Sequence, residues 1–159
     1  MGLGKIKRLA SDAALSNCVR ARAKWSCEKC GTYYPEDKRQ GLQCSHLIGR
    51  GHYAVRFDPK NCMSLCTKCH HDVTAHPIMH INLWREQFGS IYGRDSSDSE
   101  LNSLLARSTC EERAAYARDK GNQKLIAAHY RQQFEELIEY AEATEWEEER
   151  YDFTGCKYR

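Results

Sequence analysis

Two Cys-x-x-Cys pairs constrain this chain more than anything else in its 159 residues. Cys27-Glu-Lys-Cys30 and Cys66-Thr-Lys-Cys69 are separated by 35 residues. Each pair turns two thiolates toward one point, and two pairs complete the tetrahedral set that zinc takes at about 2.3 Å per sulfur. Gly31 follows the first pair directly, where a tight turn needs a residue tolerant of positive φ. The chain holds nine cysteines, so at least one has no disulfide partner within the monomer. In a reducing compartment metal binding is the expected use of such pairs. A structural Zn2+ on Cys27, Cys30, Cys66 and Cys69 is therefore expected. Its role is closure, since the 27–69 segment is too poor in apolar residues to hold itself together. Four cysteines leave no open coordination position, so this metal is not a catalyst.

The rest of the composition fits a soluble domain of ordinary size, with 41% hydrophobic and 29% charged residues. No apolar run approaches the roughly twenty residues of a membrane span. The N-terminal segment is basic but lacks the apolar core of a secretory signal, so a cytoplasmic location is expected. Net charge is only +2, but it is unevenly spread. The balance is +7 over residues 1–60, −1 over 61–120 and −4 over 121–159. A basic front half and an acidic tail suit a polyanionic partner, although solvated charge gives the same pattern.

Periodicity places the elements. Leu15, Cys18, Val19 and Arg22 recur at helical spacing within 11–24, with Asp12 in the first turn. The stretch 27–70 is loop-rich, and 41–48 (GLQCSHLI) is its best strand. A helix is expected from near Cys69 to just before Pro77, and another from Pro77 to Phe88 ending at Gly89. Capping-box patterns at Ser97–Glu100 and Thr109–Glu112 predict helices near 98–107 and 110–120. Gly121 is expected to break the chain before a long helix over 123–149. Its stripe of Ile126, Tyr130, Phe134, Leu137 and Ala141 can bury against the front half or form a homodimer seam.

Between the two pairs lies QCSHLIGRGHYAVRFDPKNCMSL, and His70 follows the second pair at once. A histidine on a strand (His46), an asparagine in the following loop (Asn61) and a histidine directly after Cys-x-x-Cys (His70) resemble the HNH, or ββα-metal, nuclease motif. The wider string is similar to the phage branch typified by lambda NinG recombination proteins. That likeness covers roughly residues 12–90, through VRAR, CSHLIGR, VRFDPKN and the stretch after His70. It implies an α+β fold: a ββα-metal unit stapled by the four-cysteine zinc site over residues 1–90, with a helical extension over 91–159. It also implies a bacterial or phage-infected cell.

The resemblance assigns roles. His46 is the implied general base, an imidazole being a competent base near neutral pH. Asn61 would orient its ring by hydrogen bonding. His70 would ligate a catalytic divalent cation that polarises the scissile phosphate. The implied activity is DNA phosphodiester hydrolysis leaving a 5′-phosphate and a 3′-hydroxyl. The chain departs from the family where an Asp or His usually precedes the base as second ligand; here that residue is Ser45, so the implied ligands of the ion are His70, Ser45, water and phosphate, with Cys44, His71 and Asp58 as alternatives to Ser45. So poor a set of hard oxygen donors is expected to favour Mn2+, Co2+ or Ni2+ over Mg2+.

Arg20, Arg22, Arg50 and Arg56 are the candidate phosphate contacts, positioning duplex or branched DNA without reading bases. No base-reading element is evident. The recombination likeness suggests selectivity for branched or distorted DNA. Ser45 keeps a second reading alive, that of a non-catalytic zinc-stapled DNA-binding protein. The glutamate run after residue 144 opposes the helix dipole and reads most simply as solvated charge.

Overall fold

The computed structural model describes residues 7–92 and 94–144. Its order is α1 (Ala10–Arg22), β1 (Leu42–His46), α2 (Tyr53–Arg56), β2 (Cys62–Cys66), α3 (Thr67–Ala75), α4 (Pro77–Tyr92), α5 (Arg94–Ser108), α6 (Glu111–Arg118) and α7 (Lys120–Thr144). The described chain is thus mixed α and β, mostly helical, with one small sheet. None of its helices is long and apolar enough to cross a membrane.

The sheet is an antiparallel hairpin in which Cys44 faces Ser64, Ser45 faces Met63 and His46 faces Cys62. Strand pleating sends alternate side chains to opposite faces. Met63 and Leu65 therefore point one way, into a core with Val73, Trp84 and Leu104. Cys44 and Cys62 point the other way, toward a second core built on Leu15, Cys18 and Val19 of α1. The hairpin is the partition between these two cores, and β1 forms an open edge of it.

The α7 stripe completes the second core. Ile126, Tyr130, Leu137 and Ala141 are all buried, and the first three pack with α1. Trp25 meets Phe134 edge to face at 6.3 Å. Buried Tyr130 donates its hydroxyl to the Phe57 carbonyl at 2.6 Å. The stripe that would serve as a dimer seam is occupied by α1 of its own chain.

Several boundaries differ from those the sequence suggests. Helix α4 runs through Gly89 to Tyr92, and α7 begins at Lys120 and includes Gly121. One glycine costs a helix only about 1 kcal/mol, less than the packing of Trp84, Phe88 and Ile126 supplies. Neither capping box forms. Ser97 lies inside α5 and is buried, and Thr109 Oγ1 donates to the Ala106 carbonyl while Cys110 caps α6 without a side-chain bond. The expected helical residues 145–149, with the glutamate run, lie outside the described residues.

One buried ion pair joins the two halves of the front unit. Arg56 meets Asp12 bidentately, with Nε–Oδ1 at 2.9 Å and Nη2–Oδ2 at 2.6 Å, and the side chains are 0% and 4% exposed. Arg56 Nη2 also donates to the Lys7 carbonyl at 2.8 Å. Its guanidinium lies 4.8 Å from the centre of the Tyr53 ring. Burial raises the pKa of Asp12, but the Arg56 hydrogen bonds, the Leu9 N–H and the charges of Arg56 and Arg50 together outweigh it and hold the carboxyl below its ordinary value. Asp12→Ala would leave the guanidinium buried and uncompensated, and should destabilise the fold by about 3–5 kcal/mol. Urea unfolding midpoints at unchanged slope measure this; a loss below about 1 kcal/mol would show that solvent or another group replaces the carboxylate.

Candidate metal centre and catalytic cleft

The first centre comes from local backbone geometry. Lys24 and Trp25 adopt left-handed φ of 50° and 55° after α1, and Gly31 takes φ of 72°. These turns fold Cys27–Cys30 into a knuckle closed by Gly31 N–H to the Cys27 carbonyl at 2.8 Å and Cys27 N–H to the Thr32 carbonyl at 2.9 Å. Cys66 caps α3, its sulfur accepting the Cys69 amide at 3.5 Å. The four sulfurs lie within 4.8 Å of one another, with Cys30 and Cys66 at 3.9 Å. Tetrahedral bonds of about 2.3 Å put sulfurs about 3.8 Å apart, so this set could hold a structural metal. No described cysteine is in a disulfide. Burial pushes the Cys27 and Cys69 thiols up, whereas hydrogen bonds from Thr32 bring Cys30 down to about 6.

The second centre is a cleft of about 1070 Å³ along the open edge of β1, between α1 and α3. His46, Arg50 and His70 all line it. The His46 ring is fixed by a contact of 3.0 Å between Nε2 and the Arg56 carbonyl. A carbonyl only accepts, so Nε2 carries the ring proton and the lone pair lies on Nδ1. Burial, helped by nearby Arg50 and opposed by the carbonyls of Arg56 and Cys44, holds the His46 pKa at about 4. His70, half-buried at the start of α3, is also lowered, first by burial and then by Arg50 and His71. Arg50 thus stands near both rings.

Asn61 does not touch the His46 ring as expected. It is fully buried, accepting from Ile48 N–H at 2.8 Å and donating to the carbonyls of Ile48 at 2.8 Å and Val55 at 3.0 Å. An amide offers both donors and an acceptor, so it can tie down a turn that has no ladder of its own. Asn61 therefore holds the 48–55 loop, and the loop holds the ring through Arg56.

Ser45 points to the opposite face from His46, as strand alternation requires. It is buried, does not line the cleft, and its Oγ lies 3.3 Å from His80 Nε2. His80, from α4, is the residue that sequence reasoning missed. Burial and the charge of His70 hold its pKa at about 4. Nothing in the sequence pairs positions 45 and 80; only the fold of α4 against the sheet does.

Three of the four candidate phosphate contacts are internal. Arg56 is spent on Asp12. Arg20 donates to the Leu42 carbonyl at 3.0 Å, and Arg22 to the carbonyls of Pro59 at 3.1 Å and Cys62 at 2.7 Å, with Glu28 at 3.6 Å. All three are buried, where desolvating a guanidinium requires built-in acceptors. Arg50 lines the cleft, and the buried Arg20 also reaches its wall. So do the exposed Arg8 and Arg39, which the basic balance of residues 1–60 signals only collectively.

Compared with models of protein families, with curated proteins and with solved structures, the chain matches none.

Two outcomes follow. Removing the metal from the four-cysteine centre with a chelator, or Cys27→Ser, should lower the melting temperature sharply and raise the reactivity of the remaining thiols; a chelator-insensitive melt would rule the centre out as a metal staple. The pH response has a definite sign. His46 is depressed from 6.5 to about 4, so the stability it contributes is complete above pH 6.5 and is lost as pH falls through about 4. His46→Gln should lose less stability than the parent between those values, and parallel losses would contradict a buried neutral ring.

Proposed function

We propose that this chain is a metal-dependent DNA endonuclease of the HNH type, its four-cysteine centre filled by a structural Zn2+. The observation that carries the reading is the fixed His46 ring. Its Nε2–H is tied to the Arg56 carbonyl, which leaves the lone pair on Nδ1, and the residue lines a cleft shared with His70 and Arg50. Burial keeps that ring neutral, so its base form is fully populated at neutral pH.

In the proposed reaction Nδ1 of His46 accepts a proton from the water that attacks phosphorus. Arg56 holds the ring in line through its carbonyl, and Asn61 holds the loop that carries Arg56. Arg50, Arg39 and Arg8 engage phosphates on either side of the scissile bond, positioning the strand without reading its bases. His70, the second imidazole on the cleft, would hold the cation, and an imidazole donor suits a borderline ion such as Mn2+, Co2+ or Ni2+ better than Mg2+. When bound there, the cation supplies polarisation of the phosphate and stabilisation of the leaving 3′ oxygen. The products are a 5′-phosphate and a 3′-hydroxyl, and the basic rim suits duplex or branched DNA.

The inward turn of Ser45 favours one rival, a zinc-stapled DNA-binding protein without catalysis. Cleavage of supercoiled plasmid and of a synthetic four-way junction, in Mg2+, Mn2+ and Ni2+, separates the two. The nuclease reading expects cutting that is faster in Mn2+ or Ni2+ and falls by about 10²–10⁴-fold in His46→Ala with metal content intact. DNA binding without cutting in any ion would establish the rival.

A further inference from the structure

The hairpin face turned toward α1 carries a second group of metal-type donors, of which the proposed reaction uses only His46. Cys44 and His46 are two residues apart on β1, and Cys62 stands directly opposite His46 on β2, so all three share one face. One ligand atom from each, two sulfurs and a ring nitrogen, lie within 4.8 Å of one another. Cys62 is buried, while Cys44 and His46 are half-buried and line the cleft, which gives an ion a route from solvent. None of the three belongs to the four-cysteine centre.

We infer that Cys44, Cys62 and His46 form a second metal site, one that takes a thiophilic divalent ion such as Zn2+ and switches the cleft off. Two sulfurs and an imidazole select soft and borderline ions over Mg2+. Three protein donors leave a fourth position for water, as in open zinc sites. Binding displaces the two thiol protons to solvent, and the resulting pair of thiolates matches the charge of the ion. The His46 ring has one lone pair, on Nδ1, because Nε2–H is committed to the Arg56 carbonyl. That lone pair can bind the ion or take a proton from water, but not both. A soft ion therefore competes with general-base action without displacing a cation on His70. The switching consequence rests on His46 being the base; the metal site itself does not.

The 159-residue chain, isolated with metal in its four-cysteine centre, is titrated with Co2+ and watched for thiolate-to-cobalt absorption in the near ultraviolet. Metal released from the four-cysteine centre is measured in parallel. The parent should develop the band without such release, and Cys44→Ser and Cys62→Ala should not. A cation on His70 has no sulfur donor and cannot give this signal. No band in the parent, or an undiminished band in both variants, would overturn the site. In a second arm, Zn2+ added to Mn2+-supported cleavage should slow the parent by about a hundredfold while leaving Cys44→Ser at its own starting rate. Equal inhibition of parent and variant would overturn the switch. A variant-sensitive band on a chain that cuts no DNA would uphold the metal site and reject the nuclease, whereas a cutting parent without the band would do the reverse.

Discussion

The bidentate contact between Asp12 and Arg56 buries two charges at the junction of α1, the loop after β1 and the cleft. Neither charge could be buried alone, since an unpaired ion in such a place costs several kcal/mol. Once paired, they fix where α1 sits relative to the hairpin. The same arginine presents its backbone carbonyl to His46, so one residue secures a helix with its side chain and a ring with its main chain. Asn61 closes the loop between them. The orientation of the ring is thus set by a chain of buried polar contacts rather than by apolar packing, and each is directional in a way that packing is not.

The four-cysteine centre acts at the other end of the hairpin. It joins the segment after α1 to the start of α3, and His70 is the residue after its last cysteine. Any ion that rigidifies the knuckles also fixes the first turn of α3, and so the position of His70 in the cleft. Two distant constraints, an ion pair and the four-cysteine cluster, bear on the two walls of the cleft separately. The two cores on either side of the sheet fill the space between them, and α7 supplies much of the core on the α1 side.

The alternation of the strand explains why adjacent residues serve different environments. Ser45 and His46 are neighbours in sequence, yet one meets His80 inside the protein and the other faces the cleft. Cys44 then falls on the His46 face, and Cys62 opposite it, which brings two thiols to a ring that a nuclease would need free. The arginines show the same principle at the scale of the fold. Arg20, Arg22 and Arg56 satisfy carbonyls and carboxylates within the chain, while Arg8, Arg39 and Arg50 line the cleft beside Arg20.

What the sequence determined by itself was local or covalently spaced. The two Cys-x-x-Cys knuckles, the turn at Gly31, β1 and the cores of the helices follow from spacing and periodicity, because the groups involved are near one another along the chain. Helix ends were less legible: packing of α4 and α7 overrode Gly89 and Gly121, and burial of Ser97 overrode its capping pattern. Tertiary structure alone decided the contacts between distant residues. Asp12 finds Arg56 across 44 positions and Ser45 finds His80 across 35. A charged or polar side chain reads the same in sequence whether it meets solvent or a buried partner, and only the fold settles which desolvation is compensated.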